Sequence, residues 1–370
     1  MLSGSMLIGR PAQDPKELFE QGQHELGAAN YAGAERDFTE LLNLGVNTAP
    51  VYTNLGVIYL RTGRLDQAVA ALRKAKELAP GMTGIDLNLG LAYYRQREFQ
   101  KAVPFFATVL TADPANTQAH YLKGMCHFMM DQFEAAAVEF ALIREQERSD
   151  LEYLYMLGIS YGKMKRSEDA QKTFADLMTA GGDTPHLHLL LGKAYVALED
   201  YTHAETELEK AVSSASPLPY AHYYLGVLYE KLGKFDAAAA QFALETSISP
   251  NDHWAYEDLA RIKLDQGDID GAIAALEPAI QRIPDSATLL SALAKAYMQN
   301  SAYDPAIRLL RRAIALEPGN GNYHYQLGRA YLQQGKAPEG KAEIAKAREL
   351  QAKVLNGQME LLSRDSELTH

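Results

Sequence analysis

Residues 51–80 read "VYTNLGVIYLRTGRLDQAVAALRKAKELAP", and residues 221–250 read "AHYYLGVLYEKLGKFDAAAAQFALETSISP". Leu-Gly, then Tyr, then Gly, then Ala and Pro fall at matching offsets in both. Self-similarity at a fixed period marks a repeat architecture and outranks any single motif. Sliding the template by 34 residues covers 15 to 354 without an insertion. The ten units start at 15, 49, 83, 117, 151, 185, 219, 253, 287 and 321.

With each unit numbered 1 to 34, the columns carry the physics. Position 8 is Gly in eight units and Ala in two, from Gly22 through Ala260 and Ala294 to Gly328. Position 20 is Ala in every unit but the last, which has Gly340. Position 11 is Tyr in seven, position 24 is large and apolar from Phe38 to Ile344, and position 32 is Pro in five. Apolar positions 4, 7, 8 and 11 share one stripe of a first helix, and 17, 20, 24 and 27 share one stripe of a second. Gly or Ala at 8 and 20 lets the two helices approach closely, and Tyr and Phe at 11 and 24 fill the space beside them. Pro at 32 ends the second helix. One hairpin cannot bury both stripes alone, whereas stacked hairpins can, so stability comes from nearest neighbours.

This lattice resembles the tetratricopeptide repeat family, whose pattern is W-x2-L-G-x2-Y, then A-x3-F, then P. The resemblance implies an all-α, right-handed superhelical solenoid of ten helical hairpins. A tail at 1–14 would precede the array and a capping segment at 355–370 would follow it. In that segment Asn356-Gly357 is a helix-stop signal, and Leu355, Met359 and Leu362 would cover the last unit. Departures from the pattern are Glu25 and Lys263 at position 11 and Glu245 at position 27, where looser packing is expected.

Composition narrows the function. The chain of 370 residues is 47% apolar and 22% charged, enough to bury a core. Its net charge of -11 argues against nucleic acid as a partner. One cysteine, Cys126, rules out an internal disulfide and a cysteine metal site. No apolar run approaches the ~18 residues of a membrane span. "MLSGSMLIGRPAQDP" at 1–15 has a short apolar patch but no basic n-region, so it reads as a disordered tail, with a trimmed signal peptide as the alternative. The chain is therefore expected to be soluble, either cytoplasmic or, if a signal was removed, periplasmic.

Several motifs suggest chemistry and have a plainer explanation. Gly158-Ile159-Ser160-Tyr161-Gly162 spells G-x-S-x-G. A nucleophile elbow needs a strand-to-helix turn, but here Gly158 and Tyr161 are lattice positions and Ser160 lies inside a helix. His120, His188, His222 and His324 all fall at position 4, a packing position, with no H-E-x-x-H and no carboxylate at metal-ligand spacing. The three Gly-Lys pairs lack the remainder of a phosphate loop. No catalytic residue, cofactor or metal is expected.

The informative positions are those the fold does not need. In the resembled family, positions 2, 5, 9, 12 and 13 point into a concave wall, and helical spacing puts them on one face. In the middle of the chain they form an apolar and aromatic belt that includes Leu91, Tyr94, Tyr121, Met125, Phe128, Met129, Tyr155 and Ile159. Further on come Tyr220, Tyr223 and Trp254, then cations at position 9, Arg261, Lys295 and Arg329. Aromatics mixed with Met suit an adaptable peptide groove. Burial within the array and a homodimer interface are the other readings of the belt. The cations would meet an acidic ligand segment, or else pair with Glu257 or Glu230. A chaperone-type carboxylate clamp is not matched: Asn54 fits its middle element, but Phe19, Gln23, Gly84 and Asn88 do not fit the rest. Asn54 and Asn88 also resemble the start of an Asn ladder, which later position-6 residues do not continue.

The sequence thus predicts a non-catalytic protein-binding scaffold that holds a peptide segment of a partner. The alternatives are an accessory arm of a glycosyltransferase or protease, and an exported bacterial assembly factor. The 14 residues before the array and the 16 after it leave no room for a catalytic domain.

Overall fold

The computed structural model describes the backbone of residues 14–367 and the side chains of residues 14–355. The chain divides into two compact units, one ending at Gly182 and the other beginning at Asp183. Every element among the described residues is a helix. The first unit holds α1 (Pro15–Gly27), α2 (Tyr31–Asn43), α3 (Ala49–Arg61), α4 (Leu65–Leu78), α5 (Thr83–Arg95), α6 (Phe99–Ala112), α7 (Thr117–Met129), α8 (Phe133–Leu142), α9 (Leu151–Lys163) and α10 (Ser167–Gly181). The second holds α11 (Pro185–Ala197), α12 (Tyr201–Val212), α13 (Ala221–Lys231), α14 (Phe235–Ile248), α15 (Trp254–Asp265), α16 (Ile269–Arg282), α17 (Ala287–Gln299), α18 (Tyr303–Leu316), α19 (Gly321–Gln333) and α20 (Ala337–Glu367). Each unit is thus five hairpins, and each second helix packs on its own first helix and on the first helix of the hairpin that follows within the unit.

The hairpin contact explains the columns. A Cβ built on Gly90 would lie 2.5 Å from Phe106 Cε1, and one on Gly158 would lie 2.5 Å from Phe174 Cε1. Position 8 is therefore the point at which the position-24 side chain closes on the first helix. Phe38, Phe106, Phe140 and Phe242 are sealed from solvent, each contributing roughly 1.5–3 kcal/mol of transfer free energy. The two units with Ala at position 8, Ala260 and Ala294, carry the slimmer Leu276 and Leu310 at position 24.

The turn inside each hairpin is also uniform. Position 15 is left-handed in all ten units, as Gly at Gly63, Gly233, Gly267 and Gly335 and as another residue at the rest, for example Arg97 at φ 62°. The next N–H reaches back to the position-11 carbonyl, as in Arg64 to Tyr59 and Asp268 to Lys263. That six-to-one bond is the Schellman closure of a helix C-terminus.

The departures are built in rather than loose. Glu25 accepts from Asn30 Nδ2 at 2.6 Å, and Lys263 donates to Asp268 Oδ2 at 2.7 Å. Both replace the Tyr-over-cation contact that Arg64 makes with Tyr59 at the same two positions. Glu245 is 1% exposed. It accepts from the Tyr220 N–H at 2.7 Å, the Tyr223 N–H at 3.3 Å and Ser249 Oγ at 2.6 Å. The reason is local: α13 starts late, after Tyr220 at φ 70°, and has no N-cap side chain of its own. Glu245 supplies the missing acceptor at that positive helix end.

The expected helix stop at Asn356-Gly357 is not realised, because α20 runs through it to Glu367. Gly weakens a helix by about 1 kcal/mol without forbidding it. The expected tail at 1–14 falls outside the described residues except for Asp14, whose side chain caps α1. Met359 and Leu362 of the expected cap also lie outside the described side chains.

Candidate functional site

The residues that suggested chemistry are all occupied. Ser160 is buried and its Oγ donates to the Met156 carbonyl at 2.7 Å, a bond within one helix. Cys126 is buried, which pushes its thiol up to about 12. Each position-4 histidine bonds the residue 19 positions on: His120 to Glu139, His188 to Glu207, His222 to Gln241 and His324 to Glu343. Burial of Glu139 opposes its charge, but hydrogen bonds from Lys123 and His120 outweigh that and hold its carboxyl below the usual range. The signal was in the sequence, since position 23 is Glu or Gln only where position 4 is His. These rings fasten the two helices of one hairpin.

In the first unit the belt is mostly a seam between first helices. The Tyr94 hydroxyl donates to Met125 Sδ at 3.9 Å, linking α5 to α7. Phe128 and Tyr155 place their ring centroids 6.5 Å apart, linking α7 to α9. Tyr121 lies 6.3 Å from the Phe140 ring, and burial followed by the charge of Asp150 raises its hydroxyl pKa. Leu91 is half-buried against the core of α3 to α7. Position 12 of one hairpin thus meets positions 5 and 9 of the next, and most of the belt's surface is used there.

Ile159 is a correction. It is 2% exposed, within a run from Met156 to Tyr161 in which every residue is buried. Six consecutive residues exceed one helical turn, so α9 is enclosed on all sides there. Ile159 is core and offers no surface to a partner. Among the belt residues only Met129, 45% exposed, stands out into solvent.

In the second unit the first helices form a cavity of about 340 Å³ between α15, α17 and α19. Its polar lining includes Glu257, Arg261, Ser291, Lys295, Asn322 and Gln326. Arg261 is not available to a ligand as the sequence suggested. It donates to Glu230 at 2.6 Å and to Asp258 at 2.9 Å. Partial burial works against its charge, but these two bonds outweigh that and raise its pKa. Lys295 and Arg329 are exposed, and only Lys295 lines the cavity.

Tyr223 donates to Asp258 at 3.1 Å and rests on Phe242 with centroids 5.5 Å apart. Trp254 is 44% exposed and Tyr220 43%. The sequence reading missed Glu257, Ser291, Asn322 and Gln326 as lining residues, although all occupy positions 2, 5 or 6.

Exposed apolar side chains alone do not single out this face. The second helices expose Val138, Leu142, Met178, Phe235 and Leu244 as well. The first-helix face of the second unit differs in combining exposed aromatics, a cavity and mixed charges. That combination is typical of a recognition surface.

The family models and one solved structure agree with this geometry. Tetratricopeptide repeat models match residues 155–217, 189–253 and 257–320, residues 93–160 and 297–355, and residues 49–82. A tetratricopeptide repeat protein from Parabacteroides merdae is 19% identical, with a TM-score of 0.58, over 68% of this chain and 100% of its own. MamA is 22% identical with a TM-score of 0.41, over 45% of this chain and 97% of its own. MamA from Desulfovibrio magneticus is 20% identical with a TM-score of 0.42, over 46% and 97%. No curated protein matches the sequence. No described helix is long and apolar enough to cross a membrane. With the 34-residue columns accounted for by hairpin packing and the repeat models matching both units, the chain belongs to the tetratricopeptide repeat family.

Proposed function

We propose that the chain is a non-catalytic scaffold that binds a peptide segment of a partner protein on its first-helix faces. The observation that carries this reading is the first-helix face of the second unit. There, Trp254 stays in water on α15, one of the three helices that line a cavity of about 340 Å³. Aromatic anchors beside satisfied and unsatisfied polar groups are what interfaces use for affinity and register.

Site-specific photocrosslinking tests it. Benzoylphenylalanine at Met129 and Trp254 reports the first-helix faces, and at Val138 and Phe235 the second-helix faces. The expected adducts come from Trp254 and Met129. Adducts arising only from Val138 or Phe235 refute the assignment of the face.

A further inference from the structure

The sequence left two readings of the position-9 cations, an acidic ligand or pairing with Glu257 or Glu230, and Arg261 takes the second. Arg261, the first of the three cations, is already claimed by Glu230 and Asp258. Glu230 and Asp258 bond it, Glu257 and Lys295 share the cavity with it, and Asp252 bonds the Trp254 N–H at the start of α15.

Three of the four carboxylates have partners. Asp252 accepts from the Trp254 backbone N–H at 3.1 Å and from the Tyr220 hydroxyl. Asp258 accepts from Tyr223 and Arg261, and Glu230 from Arg261. The Glu257 carboxylate makes no hydrogen bond or ion pair among the described residues, yet the residue is half-buried and lines the cavity. Burial, then the neighbouring charge of Asp258, pushes its carboxyl above the ordinary range, against the smaller opposing pull of His253 and Arg261. A desolvated carboxylate without a partner is destabilised, and a bound cation relieves it. Trp254 lies three residues earlier, on the same face of α15. Its ring is stacked by His253 with centroids 4.5 Å apart, and the residue remains 44% exposed. An indole face next to a carboxylate is the pairing that attracts a guanidinium or ammonium group.

We infer that the α13–α15 face of the second unit binds a basic segment of its partner, seating one Arg or Lys side chain between the Trp254 ring and the Glu257 carboxylate. This rests on the peptide-binding reading above and gives it a ligand chemistry. Lys295, on α17, repels a second cation and so limits the basic stretch to the α13–α15 side.

Trp254 is the only tryptophan in the chain, so its fluorescence reports this site alone. The full chain is titrated with three blocked peptides, Ac-(Gly-Arg)3-NH2, its neutral citrulline counterpart and Ac-(Gly-Glu)3-NH2. The expected result is a saturable change with the arginine peptide, at least tenfold weaker with citrulline and absent with glutamate. Glu257→Gln should weaken the arginine peptide about tenfold, while Glu168→Gln, the same charge change on the exposed start of α10, should alter it less than twofold. Equal binding in Glu257→Gln, or no response to the arginine peptide, overturns the inference. Tighter binding of the glutamate peptide also overturns it, but leaves the face as a peptide site and the wider functional reading standing.

Discussion

Replacing Glu245 by Ala sets the repeat pattern against the structure. Position 27 is otherwise Ala or aliphatic, from Leu41 and Ala75 to Ala313 and Ala347. By that column Ala should fit, and removing a buried carboxylate should stabilise the second unit. The structure predicts the opposite. Glu245 is the acceptor for the Tyr220 and Tyr223 N–H groups at the start of α13 and for the Ser249 hydroxyl. Truncation leaves those donors in place without it. Loss of a helix N-cap is worth about 1–2 kcal/mol. An orphaned hydroxyl and the void left by a side chain only 1% exposed add about 1–2 kcal/mol more. Ala returns only a few tenths of a kcal/mol in helix propensity. The net loss is about 2–4 kcal/mol, or a 30- to 1,000-fold rise in opening. Amide hydrogen exchange over residues 220–231 reads this directly, and a thermal melt gives the same sign. Glu245→Gln, which keeps one carbonyl acceptor, should lose less. If Glu245→Ala melts at or above the parent with unchanged exchange over 220–231, the capping role is refuted.

Two further outcomes follow from the packing. Gly90→Ala should destabilise the first unit by about 0–2 kcal/mol, because overpacking against Phe106 outweighs the roughly 1 kcal/mol of helix propensity gained. Leu276 opposite Ala260 and Leu310 opposite Ala294 are both fully buried, so in a Phe106→Leu background the same change should cost less, and a double-mutant cycle by urea unfolding that shows no coupling would contradict the ring-on-glycine contact. Cys126, with its thiol pushed up to about 12 by burial, should react with iodoacetamide at pH 8 at least 100-fold more slowly in the native chain than in urea. Native alkylation at the rate of a free cysteine would contradict its burial.

The fold was legible because identical hairpins make identical demands. Gly at position 8 opposite Phe at 24 is the imprint of one contact repeated along the chain. The site was less legible, for reasons that lie across units. The sequence left Arg261 open between a ligand and Glu230, and only placing Glu230, thirty-one residues earlier, beside it decides between them. Phe128 and Met125 read as a groove floor until Tyr155 and Tyr94 from neighbouring helices are seen to use them. Ile159 looks concave by position and is core by enclosure. Glu245 reads as a packing fault because its partners are backbone amides, which no side-chain pattern reveals.

The contacts between successive hairpins also carry a rule about order. Gln96 donates to Asp66, Gln266 to Asp236 and Gln334 to Asp304, each bridging position 14 of one hairpin to position 18 of the hairpin before it. The histidine pairs, by contrast, close within a hairpin and would travel with it through any duplication. A hairpin with Gln at position 14 is matched only by a predecessor with Asp at 18. Exchange of repeats across these three junctions therefore breaks a matched pair, although each pair is exposed and its loss costs at most about 1 kcal/mol. Rearrangements that move matched neighbours together preserve these junctions, and those that part them leave an amide and a carboxylate facing strangers.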